Sequence, residues 1–282
     1  MEARVGETFR KRLIVFYIPL FMFLAALLFP FYWMMVTSVK PDVELYNARN
    51  APFFVWHPTL SHWLYLFQNT LFTRWAWNTF CIATASTVVS LFAGVLAGYA
   101  LSRLKFPGST SFGIIIFITY LVPPTLLFIP LASVIAELRL LDSPWALILT
   151  YPTFLVPFSA WLLMGYFKTI PRELEECARI DGATRLQAMT KIVLPLGMPG
   201  ILSAGIFSFT LSWNEFLYAL VFISSPQQKT IPVGVVSELI KGDVFFWGAL
   251  MAGALFGSIP IAFIYSFFVE HYVSGMTGAV KG

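Results

Sequence analysis

Charge is scarce in this chain. Asp, Glu, Lys and Arg together make 11% of its 282 residues, under half of the roughly 25% found in soluble domains. Beside a hydrophobic content of 58%, that scarcity excludes a soluble globular domain and implies an integral membrane protein. Cysteine is nearly absent too. Cys81 and Cys177 fall near opposite membrane faces of the expected span arrangement, so they should not pair. No Cys/His spacing suggests a metal site. The three histidines, His57, His62 and His271, lie in connecting segments or at a span end, where surface histidines are expected.

Apolar and aromatic residues are plentiful. The 29 Phe and 9 Trp suit lipid-facing surfaces and interfacial belts. A bilayer core of about 30 Å needs about 20 apolar residues in helix. Six segments meet that length: 13–36, 77–101, 112–136, 143–166, 199–223 and 247–269. The first continues from Leu13 to Val36, beyond the roughly 7–15 residues of a signal-peptide core. It lacks a clear small-residue cleavage site and reads as a retained helix. The expected fold is all-α, a single domain over 1–282 built as a membrane bundle of six transmembrane helices. No internal repeat is visible.

The basic residues orient the bundle. With the N-terminus inside, the inner segments carry Arg4, Arg10, Lys11, Arg12, Arg103, Lys105, Lys168, Arg172, Arg179, Arg185, Lys191 and Lys281. The outer segments carry Lys40, Arg49, Arg74, Arg139, Lys229 and Lys241. This excess satisfies the positive-inside rule and makes both termini and the 167–198 block cytoplasmic. The external segment 37–76, with Pro41, Pro52, Pro58, Phe53, Trp56, Trp63 and Trp75, is either an interfacial connector or a docking surface for an outside partner.

The 167–198 block is long and polar where two spans need only a short turn. Pro171 suits a helix start, and Glu173, Glu175 and Glu176 put negative charge at the positive end of the helix dipole. Leu174, Cys177, Ala178 and Asp181 share a face by spacing. Gly182 ends this helix. Thr184 and Gln187 then have the form of a capping box, with Leu186, Met189 and Val193 as the apolar stripe of a second helix. Pro195 interrupts that helix, and Pro199 opens the next span. Two short helices with a sharp bend at Gly182 result, either resting on lipid headgroups or docked to a protein.

Glu176, Cys177, Ala178, Gly182, Ile192, Leu194 and Pro195 fit the pattern E-A-A-x-x-x-G-x9-I-x-L-P, with Cys177 where alanine is usual. The block therefore resembles the E-A-A motif of bacterial ABC import permeases. TSVKP at 37–41, WNTF at 77–80, SRLKFPG at 102–108, DGAT at 181–184 and SWNEFLYAL at 212–220 resemble the carbohydrate branch, the maltose-transporter type. The terminal GMTGAVKG is similar to members that import trehalose and related sugars.

The resemblance implies the type I importer permease fold. It also implies that the bent helix is a coupling helix seated in an ATP-binding subunit, and that the spans alternate between inward- and outward-facing. Glu176, Cys177, Ala178, Asp181, Gly182, Ala183, Thr184, Leu194 and Pro195 would form the coupling contact, with Pro195 fixing the exit angle into the fifth span. The implied partners are a second homologous permease, two ATP-binding subunits, an extracytoplasmic sugar-binding protein and membrane lipid, with no nucleic acid. The implied location is the bacterial cytoplasmic (inner) membrane. The chain has no G-x4-G-K-[ST] phosphate loop. It is therefore expected to be no enzyme and to hold no cofactor or metal itself, with ATP and Mg on the partner subunits.

Glu215 is the one charged side chain deep within an expected span. A carboxylate at a helix centre costs roughly 2.5–3.5 kcal/mol, so it should face a cavity or a partner, or be protonated. If the fifth span is one helix from Pro199, Glu215 lies about 24 Å along it, and Asn214 and Tyr218 share a face. Trp213, Asn214, Glu215 and Tyr218 suit a sugar path, since amides and carboxylates bond hydroxyls and rings stack on sugars. A polar interhelical clamp is the other reading. Pro123 and Pro124 break the third span, as a gate or hinge or as a static kink. Gly94 and Gly98 look like a close helix-packing face. An importer of a polyol or glycerol phosphate is an alternative. An ion-coupled transporter is a weaker fit without an inverted repeat, and a scaffold would not need the 212–218 patch.

Overall fold

The computed structural model describes residues 11–47, 52–104 and 106–278, with side chains as far as 268. Arg4, Arg10, Arg49, Lys105, Lys281, the His271 side chain and the last four residues of GMTGAVKG lie outside the described residues. The helices are α1 (Leu13–Val39), α2 (Asp42–Leu45), α3 (Ser61–Asn69), α4 (Phe72–Arg103), α5 (Ser109–Leu121), α6 (Pro124–Glu137) and α7 (Pro144–Thr150). There follow α8 (Pro152–Thr169), α9 (Arg172–Ile180), α10 (Arg185–Leu196), α11 (Met198–Trp213), α12 (Leu217–Phe222), α13 (Ile231–Leu239) and α14 (Trp247–Gly278). The fold is the all-α one expected, with one small antiparallel hairpin among the described residues, β1 (Ile240–Lys241) with β2 (Val244–Phe245). The hairpin turns at Gly242 with φ +61.

Among the described residues, four stretches are long and apolar enough to cross a membrane: α1, α4, α7 with α8, and Trp247–Phe268 of α14. Up to six spans result if each of two bent pairs counts as one. The first pair, α5 and α6, bends by 94°. Val122 and Pro123 are both extended there (ψ 120 and ψ 129), because a residue before proline is pushed out of the helical region. The second pair, α10 and α11, bends by 74°.

The expected span 199–223 is not one helix. α11 stops at Trp213 and α12 starts at Leu217. Asn214 closes α11, its backbone and side-chain N–H both donating to Thr210 O at 3.1 and 2.9 Å. The Glu215 carboxylate caps the first turn of α12, accepting from Tyr218 N and Ala219 N. Side chains that offer the backbone a local partner end helices in this way.

The chain forms two compact units. In residues 71–234 and 257–282, α4 lies along α8, and α11 packs on both. A Cβ added at Gly94 would meet Ser159 Cβ at 2.6 Å, and one at Gly98 would meet Leu163 Cβ at 2.9 Å, so these two glycines set the helix separation. One core joins Ile82, Tyr151, Leu155, Tyr218 and Phe222. A second joins Tyr99, Leu163, Phe167, Ile170, Met189 and Val193.

In residues 1–70 and 235–256, Glu44 organises the segment after α1. It accepts from Trp56 N at 3.2 Å and His57 N at 3.0 Å, and pairs with His57 Nδ1 at 2.9 Å. His62 is not the surface histidine expected. It is buried, its Nε2 bonded to Lys40 O at 2.8 Å. The cause is a close approach: a Cβ at Gly248 would lie 2.3 Å from the His62 ring. Trp75, expected in the external segment, instead lies within α4 and is fully buried.

Candidate functional site

The bend between α9 and α10 is built by local chemistry. Asp181 N donates to Cys177 O (3.0 Å) and Ala183 N to Ala178 O (2.9 Å), closing the last carbonyls of α9. Gly182 between them has φ +93, the left-handed conformation that glycine adopts without penalty after a helix. No atom lies within 4 Å of a Cβ placed there, so backbone conformation alone selects glycine. α10 opens on a complete capping box: Gln187 N donates to Thr184 Oγ1 at 3.3 Å and Thr184 N to Gln187 Oε1 at 2.8 Å.

The elbow has an inner and an outer side. Ala188, Met189 and Val193 are buried, the last two in the second core. Leu186, expected in that stripe, faces out at 66% exposure. The turn Met189–Val193 is π-wound, which shifts the facing of residues across it. Leu174 (44%) and Ile180 (84%) are also exposed. With Leu186 they give the polar block three apolar side chains turned outward. Glu176, Cys177, Asp181, Gly182, Thr184 and Pro195 are exposed; Ala178, Ala183 and Leu194 are half-buried. Both cysteines are free. The exit angle is not at Pro195: helix continues through Leu196, and the bend falls at Gly197. The π-wound turn ahead of Pro195 accommodates its missing N–H.

Beneath α9 lies a polar node that spacing did not single out. Tyr99 Oη donates to Glu175 Oε1 at 2.5 Å. Arg103 Nη2 donates to Phe167 O and Ile170 O, both at 2.8 Å, and its Nε lies 3.7 Å from Glu175 Oε2. Arg172 Nη2 reaches Ser102 O at 2.8 Å. Arg103 stands within SRLKFPG, a string that carries the resemblance but does not say which elements its arginine joins.

Around the α11–α12 break, Glu215 accepts from Tyr151 Oη at 2.9 Å, Tyr218 N at 2.8 Å and Ala219 N at 3.1 Å. Tyr218 Oη donates to Pro124 O at 2.9 Å, satisfying a carbonyl next to the α5–α6 break. The two breaks are thus hydrogen-bonded to each other. Trp213 Nε1 donates to Gly257 O at 2.9 Å. Trp213 and Tyr218 are buried at 4% and 1% exposure. Asn214 is exposed, and the break separates it from Tyr218, so the two do not share a helix face. Within the chain, then, Glu215 is a clamp between helices, and of Trp213, Asn214, Glu215 and Tyr218 only Asn214 is exposed. Among the described residues, no three His, Cys, Asp or Glu gather as metal ligands.

Several apolar helices long enough to cross a bilayer, two bent helix pairs and a capped elbow with apolar side chains turned outward define a multi-pass membrane protein. Residues 90–278 match the model of the binding-protein-dependent transport system inner membrane component, and the chain belongs to that family. It is 36% identical over 277 residues to the inner membrane ABC transporter permease protein YcjP of Escherichia coli (strain K12), covering 95% of this chain and 96% of that one. It is 37% identical to the sulfoquinovosyl glycerol transport system permease protein SmoH of Agrobacterium fabrum, covering 90% and 89%. A chain from a bacterial ABC transporter involved in the import of the acidic polysaccharide alginate has the same fold, with TM-score 0.78, 22% identity and coverage of 92% and 95%.

Proposed function

We propose that this chain is one permease subunit of an ATP-driven sugar importer, forming half of the translocation path. The α9–α10 elbow is its coupling helix, with Glu176, Cys177, Ala178, Asp181, Gly182, Ala183, Thr184, Leu194 and Pro195 in or beside the contact. The observation that carries this reading is the outer side of the elbow. Leu174, Ile180 and Leu186 stand exposed on a block rich in charge, while the inner side is seated in the second core. Exposed apolar groups rimmed by charge suit a protein contact or a membrane surface, and the E-A-A pattern on the same block favours the protein.

The assembly proposed has a second homologous permease, two ATP-binding subunits that carry ATP and Mg, and an extracytoplasmic sugar-binding protein. The chain is the non-enzymatic part, in the bacterial cytoplasmic membrane with both termini inside. ATP-driven closure of the partner subunits moves the elbow and alternates access. Pro123 and Pro124, at the 94° break, serve as a hinge, and Glu215 with Tyr218 links that hinge to α12. Trp213, Asn214, Glu215 and Tyr218 lie at the path, with Asn214 open to a solute in this conformation and the others supporting the wall. The substrate class is a di- or oligosaccharide, trehalose-like by the terminal string. The sugar-linked names of SmoH and the alginate transporter support the sugar class. A polyol or glycerol phosphate is less well supported, because no Lys or Arg falls within the six expected spans to meet a phosphate.

The test is the complete complex in liposomes, assayed for uptake and ATP hydrolysis with trehalose, maltose, cellobiose, maltotriose and glycerol 3-phosphate. Uptake of a sugar with coupled hydrolysis is expected. Gly182→Pro, which cannot adopt φ +93, should abolish both while the chain still inserts. Normal uptake by that variant would overturn the coupling role.

A further inference from the structure

We infer that Tyr99, Arg103 and Glu175 are positioning residues that carry displacement of α9 into α4 and α8. The inference rests on the reading of α9 as the coupling helix. Glu175 is on the inner side of α9, with 13% of its side chain exposed, and Arg103 is 3% exposed. Burial matters because a charge pair in a dry place resists separation far more than one in water.

Three elements converge on one guanidinium. Its backbone belongs to α4, and its Nη2 is fixed to the carbonyls of Phe167 and Ile170 at the end of α8. Its Nε faces the carboxylate of α9. Tyr99, one turn earlier on α4, holds the other oxygen of that carboxylate. Arg172 adds a tie from α9 to the Ser102 carbonyl. The joint cannot dissipate motion by sliding α4 past α8, because Gly94 and Gly98 leave no clearance between them.

One contact is incomplete. Arg103 Nε is buried with no hydrogen-bond partner and stops 3.7 Å from Glu175 Oε2, beyond a hydrogen bond's usual reach. A shift of α9 by under about 1 Å toward α4 would close that distance to a bond. The joint therefore tightens when α9 is pushed inward, and the load then passes to α4 and α8 together.

The experiment uses the complete reconstituted complex, with the panel sugar giving the greatest uptake as probe. Tyr99→Phe removes one hydroxyl, Glu175→Gln removes the charge, and a third complex carries both. Uptake and ATP hydrolysis are measured in the same vesicles. Hydrolysis should stay near the wild-type rate, while sugar moved per ATP falls about tenfold in Glu175→Gln, the scale of interaction energies between contacting residues. The double variant should be no worse than Glu175→Gln alone. An unchanged ratio in all three overturns the inference. So does a proportional fall in uptake, hydrolysis and recovered complex, which is what a merely structural role produces. If the wild-type chain recovers no ATPase partner, the reading of α9 fails and the joint fails with it, a result distinct from an unchanged ratio.

Discussion

At the residue scale, a few side chains settle where the backbone goes. Asp142 is one. It has φ +59, and its carboxylate accepts from Ser224 N, Ser225 N and the Ser225 hydroxyl. The Ser225 hydroxyl and amide hold its carboxyl below the usual range, with slight burial opposing and the Ser224 amide adding. A depressed folded value means that the stabilisation is complete above the ordinary carboxylate value of about 3.9 and is lost as pH falls through the folded value. Asp142→Asn should cost about 1 kcal/mol near neutral pH. The gap from wild type, followed by thermal unfolding in detergent, should narrow only below about pH 4. A gap that stays constant down to acid unfolding would count against the cap. Glu215 shows the limit of reading residues singly. Its isolation in an apolar run was legible, but its partner Tyr151 lies 64 positions away, and no spacing rule joins them.

At the element scale, what was local was legible. The Gly182 bend and the Thr184 box both depend on atoms within a few residues, and both are found as the pattern required. Leu186 was misplaced because spacing records a stripe but not what packs against it. Pro195 was misplaced because a proline was expected to break the helix, whereas the π-wound turn Met189–Val193 ahead of it already departs from the ordinary hydrogen-bond ladder. The break at 214–216 was missed for a related reason, since a hydropathy run records apolar length and not helical continuity. Thr184→Ala should weaken the elbow by about 1 kcal/mol, seen as faster amide exchange in α10 than in α8. At Gly182, where only φ constrains the choice, Asn should retain more coupled ATP hydrolysis than Val, because Asn visits the left-handed region and β-branched residues rarely do. Equal losses would point to a hidden steric contact. Gly94→Leu meets Ser159 Cβ, not open space. It should lower stability by about 1–3 kcal/mol, read as a reduced Tm of the detergent-solubilised chain.

At the scale of the whole molecule, charge scarcity and apolar run length predicted the membrane class, because the bilayer imposes them on any chain. Four of the six expected spans coincide with helical stretches long and apolar enough to cross, and the other two, 112–136 and 199–223, are broken. The purified chain alone should hydrolyse no ATP and move no sugar in liposomes, and hydrolysis by it alone would contradict the absence of a phosphate loop. The contact of Gly94 and Gly98 with Ser159 and Leu163 bears on how the protein is made. Helices α4 and α8 are separated in the chain by α5, α6 and α7, so this seam can close only after α8 has been synthesised. Two absent methyl groups thus tie one of the closest helix contacts among the described residues to a late stage of chain synthesis.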